Sequence, residues 1–171
     1  DANQRKAIEL VQLENNKKRN AAIKEIQRHF KAEHNIDYIP SEDEIIKYLL
    51  WEEQKHMCIY TGNKIDISEF VGANPKYDIE HTVPRSRGGD DSQLNKTLCE
   101  SRFNREVKRA KLPSELSNYN EIMAHVAQQK WETKINDLEK QISRIKTSGA
   151  SSKEIKDAMI VKRHRLRMEL D

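Results

Sequence analysis

Ile8 and Val11, then Ile23, Ile26 and Phe30, recur at helical spacing among charged residues, which predicts an amphipathic helix over residues 1–34. Pro40 precedes Ser41-Glu42-Asp43-Glu44, in which Ser41 and Glu44 can satisfy each other's orphan amides. A second helix is predicted from there through Ile45, Ile46, Leu49 and Leu50, ending near His56. The pattern then changes. Tyr60-Thr61-Gly62-Asn63 and Gly72-Ala73-Asn74-Pro75 are turn sequences, with one short helix expected between them over 65–71. Tyr77-Asp78-Ile79-Glu80-His81 alternates apolar and polar positions as a strand does. A loop with Gly88-Gly89 follows, and Lys96 to Cys99 forms the expected partner strand. Ser101 is expected to cap a helix that runs to Lys111 before Pro113 stops it. Beyond Pro113 a long helix is predicted, with Trp131, Ile135, Leu138, Ile142 and Ile145 in a short heptad seam. Ser151 and Glu154 cap a last helix that carries Ile155, Met159 and Leu166. The seam is expected to close an antiparallel helical hairpin.

These elements imply an α+β fold that is mostly α-helical, with a small core around a two-stranded antiparallel hairpin and helical extensions on both sides. Three regions are expected: a helical lead-in over 1–56, a core over 57–116, and C-terminal helices over 117–171. Composition agrees with a thin core, since charged residues make up 35% and aromatics 6% of the 171 residues. Mean hydropathy is -0.94. No apolar run is long enough to span a bilayer or serve as a signal segment, so no membrane partner is expected. Two cysteines make no disulfide framework, and a cytoplasmic setting and a monomer are expected. The chain begins at Asp1 without Met and stops inside a helical pattern, as a piece of a larger protein would.

Charge changes the picture through its placement. The net charge of +3 says little, but Lys96, Arg102, Arg105, Lys108, Arg109 and Lys111 crowd one stretch against only Glu100 and Glu106. Within that strand–loop–strand–helix lie Asp78, Glu80, His81, Asn95 and Asn104. A carboxylate (Glu80) and a neutral oxygen ligand (Asn104) suit a hard cation such as Mg²⁺, with Mn²⁺ as substitute. An imidazole (His81) can deprotonate water near neutral pH. Those parts suffice for phosphodiester hydrolysis if the helix holding Asn104 packs over the hairpin. One physical difficulty stands against this set. Adjacent strand residues point to opposite faces, so Glu80 and His81 share a site only if the strand ends or twists at His81. Pro84 makes such an ending plausible.

The string Tyr77-Asp78-Ile79-Glu80-His81-Thr82-Val83-Pro84-Arg85-Ser86, followed by Asn95-Lys96 and Asn104-Arg105, resembles the HNH nuclease motif. It is most similar to the HNH domain of type II CRISPR RNA-guided DNA endonucleases. Cys58-Ile59-Tyr60-Thr61-Gly62, Asp90-Asp91-Ser92 and Lys111-Leu112-Pro113-Ser114-Glu115 fit the same pattern. The resemblance covers about residues 57–116 and implies a ββα-metal (His-Me finger) core that hydrolyses DNA. It implies His81 as general base, Glu80 and Asn104 as metal ligands, and Asn95 as a loop brace, with Asp78 in support. The family more often has Asp where this chain has Glu80. Where related domains carry two CxxC zinc knuckles, this chain reads Cys58-x-x-Thr61 and Cys99-x-x-Arg102, so no zinc is expected. Lys96, Arg105, Lys108 and Lys111 are the expected phosphate contacts, blind to sequence. The resemblance further implies a bacterial effector whose guide RNA reads the target, this domain cutting the guide-paired strand. Two other readings fit the residues: a stand-alone HNH restriction or homing enzyme, and a helical nucleic-acid-binding module without catalysis.

Overall fold

The structure is a computed structural model that describes residues 1–127. The expected heptad seam and last helix lie outside the described residues. Helix α1 spans Ala2–His34 and ends on Asn35 in the left-handed conformation. Helix α2 spans Glu42–Glu53, and its capping box forms in full between Ser41 and Glu44. The Glu44 carboxylate is also shared with the Tyr38 hydroxyl and the Gly72 amide, at 2.7 and 2.9 Å, which ties the start of α2 to the turn ahead of the hairpin. Residues 65–71 supply only one 3₁₀ turn, Ile67–Glu69, capped by Asp66.

Strands β1 (Tyr77–His81) and β2 (Lys96–Glu100) pair antiparallel, with Glu80 opposite Thr97 and His81 opposite Lys96. Gln54, fully buried at the end of α2, closes the free edge of β2: its amide oxygen accepts from Leu98 N at 2.6 Å and its amide nitrogen donates to Leu98 O at 3.0 Å. An edge strand capped this way cannot pair elsewhere.

After β2 the chain departs from the expected helix. Ser101 is the first helical residue of α3 (Ser101–Phe103), not its cap, and its hydroxyl donates to Asp78 instead. The helix then widens into a π turn over Asn104–Lys108, closed by Arg109 N to Asn104 O at 2.8 Å, and ends at Arg109 with φ 48°. It stops short of Lys111 because Lys108 is drawn inward, as described below. Helix α4 (Tyr119–Val126) follows a 3₁₀ turn opened by Pro113.

One core joins these pieces. Ile26, Phe30 and Leu50 from the first two helices meet Ile59, Phe70, Tyr77 and Leu98 of the hairpin region, and Ile122 and Val126 of α4. The first half of α1 stays outside it, with Ile8, Leu10 and Val11 exposed. Among the described residues no helix is long and apolar enough to cross a membrane.

One side chain bridges the two arms of the loop between the strands. Asn95 accepts from Val83 N at 2.9 Å and donates to Val83 O and Asp90 O at 3.0 and 2.8 Å. Gly89 lies against the same carbonyl, where an added Cβ would sit 1.9 Å from Val83 O. Gly89→Ala must therefore push the loop off the hairpin. We expect it to lower unfolding free energy by roughly 1–3 kcal/mol, the scale of an overpacked site, as measured by urea denaturation.

Candidate active site

Strand alternation separates the expected site residues onto two faces. Asp78 and Glu80 point toward α3 and the π turn, while His81 points to the outer loop. The two carboxylates lie two residues apart on the strand, roughly 6.7 Å. Asn104 and Lys108, four residues apart, rise roughly 6 Å along a helix. The match lets each strand carboxylate take its own partners.

Glu80 is sealed. It is 1% exposed. Its Oε1 accepts from Tyr60 Oη at 2.7 Å and lies 2.9 Å from Lys108 Nζ, itself buried, and its Oε2 accepts from the Thr97 hydroxyl. Lys108 Nζ also donates to the His81 carbonyl at 2.8 Å. Burial alone pushes the Glu80 carboxyl up. The Lys108 charge and the hydrogen bonds outweigh it and hold the group below its ordinary value.

Asp78 takes the partners expected nearer the metal. It accepts from Ser101 Oγ at 2.8 Å, Asn104 Nδ2 at 3.3 Å, and Arg105 through two nitrogens at 3.0 and 2.8 Å. Burial raises its pKa, and those donors pull it below the ordinary value. The structure thus brings Asn104 to Asp78 and not to Glu80. In this structure the Lys108 ammonium lies against the Glu80 carboxylate, and the Asn104 amide donates to Asp78. Lys108 cannot be a phosphate contact, because it is 1% exposed. Arg105 is engaged by Asp78 and Lys96 by Asp91, whereas Lys111 is exposed.

On the other face His81 keeps 24% of its side chain exposed, and its Nε2 lies 2.8 Å from Asp91 Oδ1. The Lys96 ammonium reaches the same oxygen at 3.0 Å, as the cross-strand pairing of His81 with Lys96 allows. These two partners, His81 first, lower the Asp91 pKa to about 2. Sequence reasoning missed Asp91, Tyr60 and Thr97 as partners of the site. Thr97 follows from the strand register once that is known, but no local spacing pairs positions 81 and 91 across a folded loop. Cys58 and Cys99 are both buried and free.

Against this geometry the comparisons are specific. Residues 58–114 match the family described as HNH endonuclease. That match takes in a third of the chain. The chain is 30% identical over 107 residues to CRISPR-associated endonuclease Cas9 1 of Streptococcus thermophilus, which takes in 60% of this chain and 10% of that protein. It is 42% identical over 62 residues to CRISPR-associated endonuclease Cas9 of Campylobacter jejuni, covering 36% of this chain and 6% of the relative. The chain thus spans about a tenth of the length of the first of these relatives. The fold is shared with the crystal structure of Streptococcus thermophilus Cas9 in complex with the AGAA PAM, at TM-score 0.60 and 20% identity over 99% of this chain and 17% of that one. The Type II-C Cas9 from Actinomyces naeslundii aligns at TM-score 0.51 and 16% identity, over 92% and 14% of the two chains. What this chain shares with those structures is a helix-rich fold with a two-stranded antiparallel sheet.

The depressed Glu80 pKa has a consequence for stability with a definite sign. A carboxylate held below its ordinary 4.5 contributes stability above that value and loses it as pH falls through the lower folded value. Unfolding free energy should therefore fall on acidification below pH 4.5, and Glu80→Gln should make that fall shallower. Urea denaturation across pH 3–6 checks this, and an unchanged slope in the variant would exclude Glu80 as a source.

Proposed function

We propose that this domain hydrolyses DNA phosphodiester bonds with His81 as the general base, acting as the strand-cutting HNH unit of an RNA-guided CRISPR effector. The observation that supports it most is the placement of His81. Within the segment that matches HNH endonucleases it is the only histidine, and it stands at the strand end, partly exposed, with one ring nitrogen anchored. The other nitrogen is the one that takes a proton from water as hydroxide attacks the phosphorus.

The cofactor proposed for this chemistry is Mg²⁺, with Mn²⁺ as a substitute, and no zinc. The residues as arranged here do not offer that ion an open set of ligands. Glu80 is neutralised by Lys108 and Asp78 by Arg105, and among the described residues no group of three or more His, Cys, Asp or Glu is placed to hold a metal. Ion binding through either carboxylate therefore calls for a partner cation to withdraw, and Arg105, at 71% side-chain exposure, is freer to do so than Lys108 at 1%.

The proposed partners are DNA and, through the larger protein, a guide RNA. We also propose a monomeric chain in the bacterial cytoplasm, with residues 57–116 as the nuclease core between a helical lead-in and C-terminal helices. Lys96, Arg105 and Lys111 would meet backbone phosphates without reading sequence. Removing a positioned base costs roughly 10²- to 10⁴-fold in rate. His81→Ala should accordingly lose cleavage by that factor while melting like the wild type. End-labelled DNA–DNA and RNA–DNA duplexes with Mg²⁺ check this, and the DNA strand paired to RNA should be nicked at no recurring sequence. Cleavage at one short motif in plain duplex would favour a stand-alone nuclease.

A further inference from the structure

We propose that Asp91 is a positioning residue for His81, fixing the imidazole with its proton on Nε2 so that Nδ1 is the atom that accepts a proton from water. This rests on the endonuclease reading of the domain for its functional meaning, but its geometry stands by itself. Asp91 Oδ1 lies 2.8 Å from Nε2, and an ionised carboxylate only accepts, so Nε2 must donate and carry the hydrogen. A neutral imidazole then has its lone pair on Nδ1. Among the described residues no group bonds Nδ1. The same logic orients the histidine in a Ser-His-Asp triad.

The loop is built to deliver this oxygen. Asn95 donates to the carbonyl of Asp90, next to Asp91, and Ser92 N and Oγ bond the Asp90 side chain at 3.1 and 2.6 Å. Asp91 is thereby held over the end of β1 from the residue before it, and Lys96 holds its Oδ1 from the opposite strand at 3.0 Å. His81 and then Lys96 favour the ionised carboxylate, and Lys96 holds it beside its own cross-strand neighbour. An ion pair at 61% exposure on one side adds little to stability. The arrangement is therefore explained by orientation of the ring more readily than by folding. When water gives its proton to Nδ1, the O–H bond breaks, an N–H bond forms, and the resulting imidazolium lies against the Asp91 charge.

Long-range ¹H–¹⁵N correlation spectra of the ¹⁵N-labelled chain read the tautomer directly, with His81 assigned from its loss in His81→Gln. The wild type should show the proton on Nε2. Asp91→Asn should give mixed tautomers and slow cleavage by roughly 10- to 100-fold, the scale for groups that orient functional histidines. Asp91→Glu should restore the tautomer and much of the rate, and all variants should melt alike. A proton on Nδ1 in the wild type, or a tautomer and rate unmoved by Asp91→Asn, would overturn the proposal. A tautomer that shifts as stated in a chain that cuts no DNA would uphold the pairing and sink the endonuclease reading instead.

Discussion

A charge buried without a partner costs several kcal/mol, so a carboxylate in the middle of a hairpin must be met by a cation that is also buried. In this fold that requirement is carried by Glu80 and Lys108. The pair bolts β1 to the end of the π turn, and through the His81 carbonyl the same ammonium holds the last residue of the strand. Tyr60 adds a third segment and Thr97 the second strand. Four stretches of chain thus meet on one carboxylate. The π turn follows from it: Lys108 must reach inward where an unbroken helix would turn it away, and one extra residue in the turn supplies the rotation.

The division of labour across the hairpin then follows from strand geometry. Because neighbouring residues face opposite ways, filling the inner face with Glu80 leaves His81 on the outer one, beside Asp91 and Lys96. The inner face is sealed at Glu80 and partly open at Asp78, where Asn104 and Arg105 gather. The outer face holds the imidazole in a fixed orientation near solvent. The hairpin thus has its imidazole anchored by Asp91 and its two carboxylates neutralised by its own cations.

Much of this was legible from periodicity and capping. The first two helices, the capping box of Ser41 and Glu44, and both strands follow from local rules that tertiary packing here reinforces. The motif around His81 was legible as well, since its spacing is carried by consecutive residues. What was not legible depends on burial and on loop folding. Ser101 is a good cap by composition, yet its hydroxyl is claimed by Asp78. Lys108 sits in a basic run that looks like a solvated face, and nothing local says that one of those lysines turns inward. The Glu80 side chain, one methylene longer than the more usual Asp, reaches Tyr60, Thr97 and Lys108 at once, a set drawn from positions 60, 97 and 108.

The hairpin depends on Lys108 and Glu80 acting as one buried unit, and a double-mutant cycle measures that most directly. Glu80→Leu and Lys108→Met, singly and together, would be compared by urea denaturation at neutral pH. Each single variant leaves one buried charge alone and should cost about 3–5 kcal/mol. The double variant should cost far less than the two together, and no more than either alone. Losses that add to within about 0.5 kcal/mol would show two independent groups and would contradict the account.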